Sequence, residues 1–206
     1  MAKPAGLATQ PSIDNLDSIE QQAKAWIKQA FLKPGDVFLH AIHRLDKPVS
    51  GLVIFARTSK ALSRLNASMR AHCFKKTYLA VVEGRISDTQ GTLVHYLIHG
   101  DYKALVATSS CQSAKPCRLH FKVLERLPHH TIVEIDLETG RYHQIRAQFA
   151  AFGHPISGDV KYGARSGKLP TGQIALHQGC IRFPHPISQE EIMFSIDPVW
   201  DRSLFV

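Results

Sequence analysis

Two segments of strict alternation constrain this chain more than any other feature. Leu119, Phe121 and Val123 alternate with polar residues, and so do Val133, Ile135 and Leu137. A period of two puts one face of a strand on a core and the other in solvent, so these are two half-buried strands. Gly140 breaks the second, and the period then changes. Ile145, Phe149 and Phe152 fall at i, i+4 and i+7, which predicts a helix over 143–152, ended by Gly153, Pro155 and Gly158. Strands and helices that follow one another without regular βαβ alternation predict an α+β fold.

The remaining segments fit that class. Residues 1–15 are broken by Pro, Gly and Ser and read as loop. Asp17 or Ser18 caps a helix running to about Phe31, with Ile19, Ala23, Trp26, Ile27 and Ala30 on its apolar side. Lys33 to Asp36 is a turn, and Leu52 to Phe55 is a short strand. Ser59 caps a second helix over 60–72, with Leu62, Leu65 and Met69 inward. Tyr78 to Val82 reads as a strand buried on both faces. Residues 86–118 show no clear period, and the tail from Ile174 reads as a few short strands.

The chain has 206 residues and a net charge of +8, with 44% hydrophobic and 20% charged residues. That is enough apolar material for one domain over 1–206, and a composition far from disorder. No apolar run approaches a membrane span, and the N-terminus lacks a secretory signal, so a cytoplasmic protein is expected. The four cysteines form no pair of Cys-x-x-Cys units, which argues against a structural zinc site. The positive surplus points to a polyanionic partner. P-loop, dinucleotide and metalloprotease motifs are all absent, so no nucleotide or metal chemistry is indicated.

Two segments gather charged and imidazole groups beside glycines: His43-Arg44-Leu45-Asp46-Lys47-Pro48-Val49-Ser50-Gly51 and Gly140-Arg141-Tyr142-His143-Gln144-Ile145-Arg146. Each lies where a loop meets regular structure, a common location for functional residues. Asp46 has cations at 44 and 47, which hold a carboxylate ionised, as a nucleophile or base requires. From spacing alone, a structural ion pair is the stronger reading of Asp46.

The first segment resembles the His-Arg-Leu-Asp-x-x-Thr-Ser-Gly motif of the RluA-type RNA pseudouridine synthases, and the second resembles that family's Gly-Arg-x-His-Gln-Ile/Leu-Arg motif. Lys3-Pro4-Ala5-Gly6, Lys76-Thr77-Tyr78-Leu79-Ala80 and Gly153-His154-Pro155-Ile156-x-Gly158-Asp159 are similar to three further motifs, all in the family's order. The resemblance implies a mixed, largely antiparallel sheet flanked by helices and loops. It also implies an isomerase that converts uridine in ribosomal or transfer RNA to pseudouridine without cofactor or metal. Asp46 then acts on the ribose, by attack at C1′ or by proton abstraction to a glycal. Arg146 pairs with Asp46, and an arginine can grip a carboxylate with both ends of its fork. Tyr78 stacks on the target base and is a candidate for handling the C5 proton. Arg44 fills the gap left by an extruded base or contacts phosphate. Ile145 packs under the uracil, Arg141 and Lys76 contact substrate, and Lys60, Arg64, Arg70 and Lys75 are further phosphate contacts. His43 and His143 are scaffold, while Asp159 and Gly158 shape a loop.

Val49 stands where the family has Thr, and Tyr142 where it has Thr or Ser. No accessory S4-type RNA-binding segment is expected. Relatives carry strand-forming residues ahead of Lys-Pro-x-Gly, whereas Met1 lies two residues from Lys3, so a missing edge strand is expected. A monomer with an RNA substrate and no membrane association is expected. The alternative is an RNA-binding protein of the same fold without turnover. A third reading, a metal-dependent hydrolase on His43, Asp46 and His143, has no standard ligand spacing behind it.

Overall fold

The computed structural model describes residues 1–13, 16–165 and 168–206. Positions 14 and 15, the end of the expected N-terminal loop, lie outside these. In chain order the elements are β1 (Ala2–Lys3), α1 (Ile19–Ala30), β2 (His40–Ala41), β3 (Ser50–Leu52), β4 (Phe55–Ala56), α2 (Ser59–Arg70), β5 (Lys75–Glu83), β6 (Gln90–His99), β7 (Ala104–Ala107), β8 (Lys115–Arg126), β9 (His130–Leu137), α3 (Gln144–Ala151), β10 (Leu176–Pro184) and β11 (Glu191–Ser195). Among the described residues nine strands form one sheet, ordered β1-β3-β10-β5-β9-β8-β6-β7, with β11 on β10. Every pairing is antiparallel except β3 with β10. The fold is α+β, with the mixed, largely antiparallel sheet that the motifs imply. No helix is long and apolar enough to cross a membrane among the described residues.

Several local expectations need correcting. On α1, capped by Ser18, Trp26 and Ala30 point outward; only Ile19, Glu20, Ala23 and Ile27 are buried. Trp26 is 63% exposed and meets Phe31 edge-on instead of the core. The cap of α2 is Thr58, whose hydroxyl accepts from the Ala61 amide, and Ser59 is already helical. The apolar run 52–55 is split between β3 and β4, because Val53 and Ile54 turn the chain out of one sheet and into the small β2–β4 ribbon. The unreadable stretch 86–118 holds β6, β7 and the start of β8. The tail contributes β10, a nine-residue strand at the sheet's centre.

Core burial positions the site. Tyr78, Val81, Phe121, Ile135, Ile145 and Phe149 belong to one cluster that joins the sheet to α3. Polar residues of α3 are buried with them. Gln144 donates to the Arg118 carbonyl at 3.1 Å and to Gln148 at 2.9 Å, and Gln148 donates to the Leu93 carbonyl at 2.9 Å. Each buried amide thus has a partner, which moors the helix to β6 and β8. Gly51, at φ +131°, lies so close to β10 that a Cβ there would meet the Gln178 backbone at 2.5 Å. Only glycine lets β3 pair there. Ser50 completes the junction through a 2.8 Å bond to His177 Nδ1.

Candidate active site

Asp46 sits in the loop between β2 and β3, and that loop is held from below. The Thr9 hydroxyl donates to the Leu45 carbonyl at 2.9 Å and accepts from the Leu45 amide at 3.1 Å. Lys3, 2% exposed, donates to the carbonyls of Pro4, Leu7 and Lys47 at 2.9, 2.7 and 3.3 Å. Burial lowers the Lys3 pKa to about 8, against the pull of the Asp46 charge. The Lys3-Pro4-Ala5-Gly6 motif therefore acts as a bracket under the loop, with Gly6 N–H adding a 2.8 Å bond to Lys47. Val49 is 2% exposed in the core, where its methyl groups pack with no hydroxyl to satisfy.

Arg146 reaches Asp46 from α3, its Nη1 donating to Oδ2 at 3.0 Å. The paired grip expected on Asp46 goes elsewhere: Nε and Nη2 bind Asp159 Oδ2 and Oδ1 at 2.6 and 2.9 Å. Asp159, expected only to shape a loop, is the residue that orients Arg146. The reason is burial. Arg146 is 4% exposed and Asp159 2%, so the guanidinium needs a second carboxylate to use its remaining donors. Burial works against the charge on Arg146, yet the hydrogen bonds and charges of Asp159 and Asp46 outweigh it and raise its pKa. The guanidinium also lies 5.1 Å from the Tyr162 ring centroid.

His143 stands between these groups. It precedes α3 in a left-handed conformation, φ 51°, and offers the helix no side-chain cap. Its ring turns toward Asp46 instead, with Nε2 3.6 Å from Oδ2 and Nδ1 3.0 Å from the Tyr162 hydroxyl. Burial lowers its pKa to about 4 although Asp46 pulls the other way, so the ring is neutral near neutral pH. Tyr142 stacks on His143 at 3.9 Å between centroids, and His99 lies 4.1 Å beyond Tyr142. His43 is half-buried; its withdrawal from solvent, and then the Lys76 charge, lower its pKa to about 3. Its Nε2 accepts from the Ile54 amide, at 3.4 Å.

Lys76 and Tyr78, two apart on β5, share a face and line a cavity of about 540 Å³ around Asp46. Arg44, Ile145, Arg141 and Arg146 line it as well, so all seven sequence-predicted site residues converge there. Arg44 is exposed and makes no hydrogen bond or ion pair among the described residues. Arg141 is exposed, and its side chain donates to the Pro116 carbonyl at 3.2 Å. Lys60, Arg64 and Arg70 are on the outer face of α2, outside this cavity, whereas Lys75 lines an adjoining groove with Arg118 and Arg141. A further groove, bearing Lys47 and Lys161, meets the cavity at Asp46.

Tyr78 is 6% exposed, and its hydroxyl donates to Gln178 Oε1 at 2.8 Å. Burial, followed by the Asp46 charge, raises its pKa. Sequence reasoning missed Gln178: a lone polar residue in a strand carries no spacing signal. Among the described residues no three His, Cys, Asp or Glu side chains converge as a metal-binding group, and the His43, Asp46 and His143 set does not make one.

One carboxylate held by a buried arginine, in a cleft lined by cations and rings, makes a site able to take an anionic ligand. Comparison with known proteins narrows that class. The family model described as RNA pseudouridylate synthase matches residues 1–151, and the chain belongs to that family. It is 35% identical over 196 residues to the uncharacterized RNA pseudouridine synthase YhcT of Bacillus subtilis, covering 93% of this chain and 62% of that protein. It is 34% identical to the dual-specificity RNA pseudouridine synthase RluA of Pasteurella multocida, covering 96% and 88%. The solved structure of human RNA pseudouridylate synthase domain containing 1 superposes with a TM-score of 0.76 at 25% identity, covering 98% of this chain and 80% of that one. Against ribosomal large subunit pseudouridine synthase D of Vibrio parahaemolyticus the match spans only 50% of the relative. The chain thus spans between half and two thirds of the length of the first curated relatives it matches.

Proposed function

We propose that this chain is the catalytic domain of an RNA pseudouridine synthase acting on uridine in ribosomal or transfer RNA, as a monomer in the cytoplasm. The observation that carries the reading is the 3.0 Å contact between Arg146 and Asp46 where the cavity and a basic groove meet. A single strand can follow such a groove across Asp46, with the target base extruded into the cavity. The reaction breaks the C1′–N1 bond, turns the uracil and joins C5 to C1′; C5 loses a proton and N1 gains one. Asp46 serves as nucleophile at C1′ or as base toward the ribose, and Arg146 aims it. Ile145 supports the uracil, and Lys76 and Arg141 neutralise phosphates. Among the described residues Arg44 has no partner to give up when RNA arrives.

The test is Asp46→Asn, assayed on unmodified 23S ribosomal RNA and transfer RNA transcripts tritiated at uridine C5. Product formation releases the tritium to water, and a binding titration uses the same RNA. Asn keeps the size but is no nucleophile or base. The variant is expected to fold, to bind RNA at least as well as wild type, and to release no tritium. Turnover at a comparable rate would remove Asp46 from catalysis. Wild-type protein that binds the transcripts but never releases tritium would favour the binding-protein alternative.

A further inference from the structure

We infer that Gln178 is a positioning residue for Tyr78, holding the phenol proton turned away from the cavity so that the Tyr78 oxygen meets the substrate as a hydrogen-bond acceptor. The inference rests on the site proposed above.

Three observations converge on Gln178. It lies in β10 opposite Tyr78 on one side and opposite Gly51, of the Asp46 segment, on the other. It is 0% exposed; its Oε1 accepts the Tyr78 hydroxyl, and its Nε2 has no partner among the described residues. The β10–β5 register shifts between Gln178 and Cys180, so the ladder is interrupted directly after this residue. Bulges of that kind re-aim side chains beside functional sites.

An orphaned buried donor is costly, and packing alone favours an apolar residue here. The acceptor is the one thing Gln178 supplies that an apolar residue cannot. An amide oxygen takes a hydrogen bond but not a proton. The Tyr78 O–H is thereby fixed toward Gln178, and burial raises its pKa, which further opposes phenolate formation. Tyr78 lines the cavity, so what its oxygen offers there is a lone pair, suited to an N–H or O–H of the nucleoside.

The experiment is a double-mutant cycle on single-turnover tritium release from the same transcripts, with RNA Kd measured alongside. Gln178→Met keeps volume and removes the acceptor. It is expected to slow release about 10-fold with Kd unchanged. Tyr78→Phe is expected to slow release at least as much, and the double variant no more than Tyr78→Phe alone. Gln178→Glu, which retains an acceptor oxygen, is expected to stay within about threefold of wild type. Should Gln178→Met not fold, the double variant, which leaves neither buried polar partner behind, and Gln178→Glu supply the comparison. Additive losses, an undiminished rate in Gln178→Met or Tyr78→Phe, or a Gln178→Glu rate reduced about 10-fold would each overturn the inference. Asp46→Asn run in parallel separates the two failures. Turnover there sinks the proposed function, whereas a silent Asp46→Asn beside additive Gln178 and Tyr78 losses sinks only the role of Gln178.

Discussion

Asp159 occupies two donors of the Arg146 fork, at 2.6 and 2.9 Å, and leaves Asp46 a single bond at 3.0 Å. The carboxylate proposed for chemistry is therefore aimed but not clamped, while the second carboxylate takes the structural load. A fully bidentate partner would be harder to release toward a sugar carbon.

Asp159→Asn tests that division of labour. Asn keeps one acceptor but leaves a buried guanidinium with one full counter-charge where it had two. Stability is expected to fall by about 3 kcal/mol in urea unfolding, the low end for breaking a buried pair. The freed fork turns further onto Asp46, so the rate is expected to fall while RNA affinity holds. A stability loss below about 1 kcal/mol would mean that Asp159 does not carry Arg146.

Arg146→Lys keeps the charge and loses the plane. An ammonium cannot reach both Asp159 oxygens and Asp46 with the geometry of the fork. The expected loss is about 10–150-fold in single-turnover rate, the equivalent of one charge-assisted hydrogen bond felt in the transition state. Near wild-type kinetics would remove Arg146 from its assigned role.

Asp46, Tyr78 and Arg146 were singled out by the resemblance of their motifs, since spacing alone favoured a structural ion pair for Asp46; the structure brings all three to one cavity. Asp159 was legible only as a loop residue. Its role depends on Arg146 being buried, and α3, with arginine and two glutamines in its sequence, gives no sign of burial on every side. Trp26 was misplaced for the opposite reason. The buried stripe of α1 is narrow, with Ala23 and Ile27 packed against Leu39, and periodicity cannot tell a stripe's edge from its centre. Residues 86–118 hid an edge hairpin, where β6 pairs with β7 and leaves Leu105 and Val106 43% and 46% exposed. With little buried on that hairpin, alternation had nothing to report.

The buried histidines make stability pH-dependent in a definite direction. Burial lowers the folded-state pKa of His43 from 6.5 to about 3. Between those values the unfolded chain binds a proton that the folded chain refuses. The stability is fully present above pH 6.5 and drains away as pH falls, by up to about 1.4 kcal/mol per pH unit for this one group. Gln places an acceptor where Nε2 now receives the Ile54 amide, without titrating. His43→Gln is therefore expected to flatten the pH dependence of urea unfolding between about pH 6 and about pH 4. An unchanged slope would show that His43 takes its proton while folded.

Lys3→Met reaches the active loop from the sheet edge. Lys3 spends all three of its donors on carbonyls, including that of Lys47 beside Asp46. Met fills similar space and donates nothing. Three part-buried carbonyls then lose a partner, at up to about 1–3 kcal/mol for each one that water does not reach. Gly6 N–H still holds Lys47, so part of the bracket survives. The expected net effect is about 3 kcal/mol of stability, measured by urea unfolding, because one carbonyl stays satisfied and the rest partly relax. The rate is expected to fall about 10-fold at temperatures where the variant remains folded, since Asp46 is no longer fixed against Arg146. Both readouts are needed. A stability loss with an unchanged rate would make Lys3 a fold residue only, and a loss below about 1 kcal/mol would deny it even that.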